Sequence, residues 1–259
     1  TFARKPLFGY KANVGAILFL GFIAMIVWAH HQYTIGMSRG AIEYFMIVTI
    51  IISIPIGILV FNFIGTMWRG AMTFEVPMLF AIALLVTFSF GGLTGVMLAV
   101  IPADLQYHDS MFVVAHFHYV LVPGAFFGLV AGVFYWLPKW TGHMYDEKLA
   151  KLFFWLMMIG FNLTFFIQHF SGLAGMPRRI IDYSAQFAEF NFISSIGSFI
   201  FGFAHLIMLY VIIKCVRGGA AASDKVWEGA NQPGNEGLEW TVASPPPHHT
   251  FTTAPQIKW

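Results

Sequence analysis

A chain of 259 residues that is 58% hydrophobic and 10% charged, with mean hydropathy +0.72, is not a soluble domain, in which about a quarter of residues are charged. A formal net charge of +2 with no basic cluster argues against a nucleic-acid partner. The single cysteine, Cys215, excludes an internal disulfide.

Thr1 is not an initiator, and no charged leader with a cleavage site comes before the first apolar run. The chain reads as cut from something longer, or assembled beside a separately made half. Residues 1–13 are basic and loop-like, with Arg4, Lys5, Pro6 and Lys11. Six apolar runs follow, at 14–30, 42–68, 77–102, 111–138, 150–170 and 192–214. Most reach the roughly 20 residues that cross a hydrocarbon core as helix, and the first borrows its flanks. Strands would leave an open edge in lipid, so the expected fold is all-α, a polytopic integral membrane protein of six transmembrane helices. Pro55 and Gly57 are expected to kink the second, and Gly91, Gly92 and Gly95 give the third a small-residue face for a helix or a flat cofactor. Residues 1–216 form the helical region; residues 217–259 are polar, carry Pro245-Pro246-Pro247, and read as an extended tail.

With six spans, the basic residues divide unevenly. Arg39, Arg178 and Arg179 fall on one side, and the remaining eleven of the fourteen, from Arg4 to Lys258, fall on the other. The positive-inside tendency then places both termini inside, in an inner membrane. Trp28-Ala29-His30-His31 lies at the outer end of the first helix and His108-Asp109 at the outer start of the fourth. His116 lies about 7 Å further in. The loop Gly175-Met176-Pro177-Arg178-Arg179 is outer as well. Independent segments thus bring eight polar residues to one depth range.

Each constellation has two readings. His30-His31 is a vicinal pair whose neutral imidazoles suit copper, iron or zinc if the backbone leaves regular helix; the alternative is a pair wetted by headgroups. His108 and Asp109 suit a hard divalent cation, or Asp109 simply complements a helix dipole. His116 and His118 stand about 200° apart on one helix, so they cannot share a metal, but each can hold its own with Phe117 between. The alternative is a pair of core histidines bonded to neighbouring helices. Arg178-Arg179 suits paired carboxylates, or pairs with Asp182 or lipid phosphate. His143, His169 and His205 read as hydrogen-bonded structural histidines, and His248-His249 sits in the polar tail.

Together, Trp28-Ala29-His30-His31-Gln32-Tyr33-Thr34, His108-Asp109, Ala115-His116-Phe117-His118-Tyr119, Gly175-Met176-Pro177-Arg178-Arg179, Leu238-Glu239-Trp240 and Ser244-Pro245-Pro246-Pro247 resemble subunit I of the A-type haem–copper oxygen reductases. The resemblance covers essentially the whole chain, as helices seven to twelve of a twelve-helix bundle. It implies that His30 and His31 ligate the active-site copper, that His116 is the axial ligand of a high-spin haem and His118 of a low-spin haem, both of haem A type, and that Phe117 lies between them. It implies magnesium at His108 and Asp109, and haem propionates at Arg178 and Arg179. The implied reaction is reduction of dioxygen to water with electrons from cytochrome c, coupled to proton translocation. The implied partners are a chain or segment carrying the first six helices, subunit II with a dicopper centre, subunit III, cytochrome c and membrane lipid. The tail favours a bacterial cytoplasmic membrane over a mitochondrial inner one.

Two departures qualify this. A third copper-ligating histidine, the tyrosine bonded to it, a second low-spin axial histidine and a channel glutamate belong to earlier helices, so the chain by itself is expected to be inactive. Ile56 and Leu59 stand where the family usually has threonine and lysine of a proton channel. A lysine at mid-membrane costs about 2.5–3.5 kcal/mol on insertion scales, so its loss is structurally easy and functionally serious. Proton delivery then uses another route or is impaired, and a gain of turnover on Leu59→Lys marks the second case. The competing functions are a quinol oxidase, disfavoured by Asp109, a non-catalytic paralogue that keeps haem ligands, and a metal-free six-helix transporter.

Overall fold

The structure is a computed structural model that describes residues 1–227 and 237–255. Lys258, one of the cations assigned to the inner side, lies outside the described residues. Nine α-helices are present among them: α1 (Tyr10–Ile23), α2 (Arg39–Ile51), α3 (Ser53–Met67), α4 (Val76–Ala99), α5 (Ile101–Tyr107), α6 (Met111–Leu121), α7 (Gly128–Thr141), α8 (Glu147–Leu173) and α9 (Ala188–Arg217). They form six stretches long and apolar enough to cross a membrane, at Tyr10–Gln32, Arg39–Met67, Val76–Ala99, Met111–Thr141, Glu147–Leu173 and Ala185–Arg217. No strand occurs among the described residues, only the isolated bridges Ser110↔Pro177 and His143↔Ala221.

Two of the six spans are irregular, each at a proline. Pro55 has no N–H to give the carbonyl of Ile51, and α2 ends there, with α3 starting at Ser53. Pro123 leaves the carbonyl of Tyr119 without its helical donor, and residues Val122–Phe127 widen into a π-helical turn before α7. Gly91 of α4 packs against that carbonyl: a Cβ there would meet the Tyr119 oxygen at 2.6 Å. Proline on one helix and glycine on its neighbour therefore bring α4 and α6 into close register.

The core is aromatic. Phe80, Phe127, Phe134, Phe153 and Phe161 are fully buried between α4, α7 and α8 and meet largely edge to face, as at Phe80–Phe154, 5.0 Å between ring centres. α8 is the central rod, against α6 on one side and α9 on the other. Gly160 and Gly172 admit these neighbours, since a side chain at either would overlap the backbone of Phe201 or Phe112.

At the far end from the histidines, the tail folds back on α7. Lys139 is 1% exposed, and its ammonium donates to the carbonyls of Asp224, Val242 and Ala243 and to Ser244 Oγ at 2.6–3.3 Å. Trp240 packs edge to face on Tyr135.

Candidate metal and cofactor site

After Ile23 the chain tightens into two 3₁₀ turns, Ala24–Ile26 and Trp28–Gln32. Neighbours on an α-helix point about 100° apart. Here the tighter turn lets the rings of His30 and His31 converge, with Nε2 atoms 2.9 Å apart and ring centres at 4.1 Å. At that separation one nitrogen donates to the other, or both face a single ion. Two nitrogens each about 2.0–2.1 Å from one ion, at right angles to it, also lie about 2.9 Å apart. The donor set therefore fits copper, which imidazole suits.

His116 and His118 leave α6 on opposite flanks. His116 faces α4, where Nδ1 lies 2.9 Å from the Gly91 carbonyl and 3.1 Å from Thr94 Oγ1. A carbonyl can only accept, so Nδ1 carries the proton and Nε2 keeps its lone pair. Gly95 makes the space: a Cβ there would stand 2.7 Å from His116 Cε1. His118 is fixed in the same way, with Nδ1–H donating to its own helix at Val114 O, 2.8 Å. Its ring stacks on Phe165 of α8, 4.0 Å between centres and 14° between planes. Both rings thus present Nε2, the arrangement in which a second-shell acceptor sets the tautomer of a metal-bound histidine, and both fit axial ligation of a haem iron.

His30, His31, His108, Asp109, His116, Phe117 and Arg178 line one cavity of about 680 Å³ between α2–α3, α4 and α6. Its remaining wall is mostly apolar, including Ile52, Ile56, Gly57, Val60, Phe88 and Gly92. An apolar chamber with a few convergent polar groups is the usual form of a cofactor site. His118 and Arg179 do not line it: His118 faces the other flank of α6, and Arg179, in the left-handed region at φ 62°, turns elsewhere. Leu59 does not line it either.

The polar rim is held by the short α5 and the loop after α8. His108 Nδ1 lies 3.1 Å from Asp104 Oδ2, and its Nε2 is 3.8 Å from Asp109 Oδ2. Arg178 donates to Asp109 Oδ1 from Nε at 2.7 Å and Nη2 at 2.6 Å, while its backbone N–H bonds the Asp109 carbonyl at 2.9 Å. That hydrogen bond holds the Asp109 carboxyl below the usual range. Burial pushes the Asp104 carboxyl up, against the pull of His108. The Oδ2 of Asp109 and Nε2 of His108, 3.8 Å apart, offer one hard oxygen and one borderline nitrogen to a divalent cation, and Asp109 has already spent its other oxygen on Arg178. Among the described residues, no group of three His, Cys, Asp or Glu side chains converges as a metal site.

Thr49, Thr94 and Asp104 were not singled out from sequence. Asp104 stands one helical turn before His108 and carried a readable signal; the two threonines carried none. Of the three histidines read as structural, His205 and His169 bond the carbonyls of Phe201 and Phe166 through Nδ1. His143 departs from that expectation: its Nδ1 is buried with no partner among the described residues.

A family model described as "Cytochrome C and Quinol oxidase polypeptide I" matches residues 1–200. The chain is 46% identical over 258 residues to cytochrome c oxidase subunit 1 of Cereibacter sphaeroides, covering 99% of this chain and 45% of that protein. It is 44% identical over 261 residues to quinol oxidase subunit 1 of Bacillus subtilis, covering 100% of this chain and 40% of that one. A cryo-EM structure of a haem–copper terminal oxidase dimer shares the fold, with TM-score 0.75 at 19% identity over 84% of this chain and 44% of its own. The chain spans less than half the length of the curated relatives it matches.

Proposed function

The chain belongs to the cytochrome c and quinol oxidase polypeptide I family, and from that premise we propose that it is helices seven to twelve of the catalytic subunit of a respiratory terminal oxidase. The reaction is reduction of dioxygen by four electrons and four protons to two waters, with electrons from cytochrome c and coupled proton translocation. The observation that carries this reading is the converging Nε2 pair of His30 and His31 on the same cavity as His116, with His118 on the opposite flank of one helix.

Bound haem and copper supply the electron transfer to dioxygen. The chain's residues hold and orient. In this reading His30 and His31 would hold copper, His116 would hold a high-spin haem A, and His118 would hold a low-spin haem A. Phe117 fills the gap, its ring 4.4 Å from that of His118. His108 and Asp109 hold magnesium. Arg178 and Arg179 neutralise propionates, Arg178 while also clamping Asp109. The apolar walls exclude bulk water, which strengthens each of these charge interactions. Residues 1–216 are the membrane region and 217–259 an inner-side tail, with both termini inside a bacterial cytoplasmic membrane.

The remaining parts come from partners: the first six helices with a third copper ligand, subunit II with a dicopper centre, subunit III and cytochrome c. Exposed apolar residues, among them Tyr44 and Ile47 of α2 and Ile54 of α3, are available to those partners or to lipid. The test is an absorption spectrum and metal analysis of the complex purified from its native membrane. Two A-type haems and copper are expected; absence of haem overturns the reading. The quinol alternative is favoured by the similarity to the Bacillus subtilis quinol oxidase subunit, and turnover with quinol but not with reduced cytochrome c selects it.

A further inference from the structure

The last span carries an imidazole that the proposed chemistry does not use. His205 is half-buried and lies well inside the apolar stretch Ala185–Arg217. A polar ring at that depth is unfavourable unless it has partners, and an ionisable residue within a span points to a site. Its Nδ1 lies 2.6 Å from the carbonyl of Phe201, one turn back in α9. A carbonyl can only accept, so Nδ1 carries the proton. Nε2 is then an acceptor, and it makes no hydrogen bond among the described residues. The ring rests against Phe126 of the π-helical turn and Phe153 of α8, with ring centres 5.3 Å and 5.8 Å away.

His118 borders the same trough, in which α8 is the floor, α6 and α7 form one wall and α9 the other. His118 stacks on Phe165 of the floor, and Phe126 follows His118 by eight residues along its wall. Eight helical residues rise about 12 Å and return to within about 80° of the start. The wider π turn at Val122–Phe127 narrows that angle further. His205 therefore lies on the His118 flank, about two turns nearer the tail end of the bundle.

We propose that His205 accepts a hydrogen bond from the hydroxyl on the long alkyl substituent of the haem held by His118. The inference rests on the low-spin haem A reading of that ligand. An imidazole that leaves its helix sideways would hold the porphyrin plane along the helix axis, so the macrocycle spreads lengthwise in the trough. Its propionates would lie at the histidine end, with Arg178 and Arg179, and the opposite edge would point toward His205. On haem A that edge carries the hydroxyl-bearing chain. The formyl group of haem A has no proton to give, so an acceptor nitrogen selects the hydroxyl. Phe126, Phe153 and Phe201 surround the imidazole and suit the apolar remainder of the chain.

The readout is the rate at which the purified, assembled complex loses its low-spin haem on warming in detergent, followed by decay of the α band. His205→Leu is expected to lose that haem on the order of fivefold faster, the effect of one hydrogen bond. His205→Gln, whose amide oxygen accepts, is expected to match the parent. The parent and His205→Leu are then compared after assembly in cells that make only haem B, which has no hydroxyl, and equal rates are expected. Equal rates with haem A overturn the proposal. So does an equal acceleration with both haems, or a His205→Gln complex as fast as His205→Leu, either of which assigns the ring to packing. Where His205→Leu does not assemble, His205→Met replaces it, and where haem B is not taken up, the contrast with His205→Gln decides. A parent complex with no low-spin haem fails the ligand reading of His118 instead, so the two failures are distinguishable.

Discussion

At the tail end of the bundle, Lys139 is buried and shares its three ammonium protons among four oxygens, all supplied by the segment that returns from α9. At the histidine end, His30, His108, His116 and His118 are each tied to a neighbour through Nδ1, and apart from the His30–His31 contact their Nε2 atoms make no hydrogen bond among the described residues. Both ends solve the problem of polar groups in an apolar body. The first closes every valence and gains only structure. The second fixes orientation with half of each ring and leaves the remaining lone pairs directed outward, three of them toward one cavity. The candidate site is the end at which this satisfaction stops short.

The comparison breaks most visibly at Gly95. A methyl group added there meets His116 Cε1 at 2.7 Å and must displace the ring. Gly95→Ala is expected to cut oxidase turnover of the complex on the order of a hundredfold, because displacements of about 1 Å at a reacting centre cost that much. The thermal midpoint should hardly move; a large fall in it together with unchanged haem spectra would mean that Gly95 serves packing rather than the site. At the other end the ranking reverses. Lys139→Met strips the donors from buried carbonyls and is expected to destabilise tail docking on the order of 3 kcal/mol, without touching the haem spectrum. Protease nicking within residues 237–255 reads this directly, and a tail as resistant as the parent's would refute it.

The smallest effect concerns Asp146, which caps α8 through Leu149 N–H and pairs with Lys214 at 2.8 Å. The hydrogen bond from Lys214 holds its carboxyl below the ordinary range. A depressed acid contributes stability that is complete above its unfolded value and is lost as pH falls through the folded one. Asp146→Asn keeps a capping oxygen and removes the charge. The midpoint difference between parent and variant should therefore shrink from pH 7 to pH 3; a difference that widens on acidification contradicts the assignment.

Much of this was open to reading in the chain. The six spans follow from run length and hydropathy, and all six occur with shifted ends. The opposite flanks of His116 and His118 follow from helical period, and the irregular backbone needed at His30-His31 is met by the 3₁₀ turns. The kink expected from Pro55 is a one-residue break in the hydrogen-bond ladder at Ile52, which keeps helical dihedrals (φ −56°, ψ −29°), because the carbonyl that proline orphans, that of Ile51, lies one turn upstream. Other features had no local signature. That Arg178 clamps Asp109 depends on a loop after α8 meeting the start of α6, sixty-nine residues apart in sequence. That Lys139 is buried contradicts its expected place in a polar connecting segment, and is explained by the tail lying over it.

Sequence alone determined the class of the protein and the kinds of donor it carries, because hydrophobic length and residue chemistry act locally and survive any arrangement of the chain. It also fixed which histidines could never share an ion, since that is set by rotation within one helix. Tertiary structure decided which nitrogen His116 offers, since its tautomer depends on an acceptor brought from another helix, the Gly91 carbonyl. It decided as well which polar groups are spent on each other and which are left facing a cavity, a distinction made by packing between helices and absent from any single one of them.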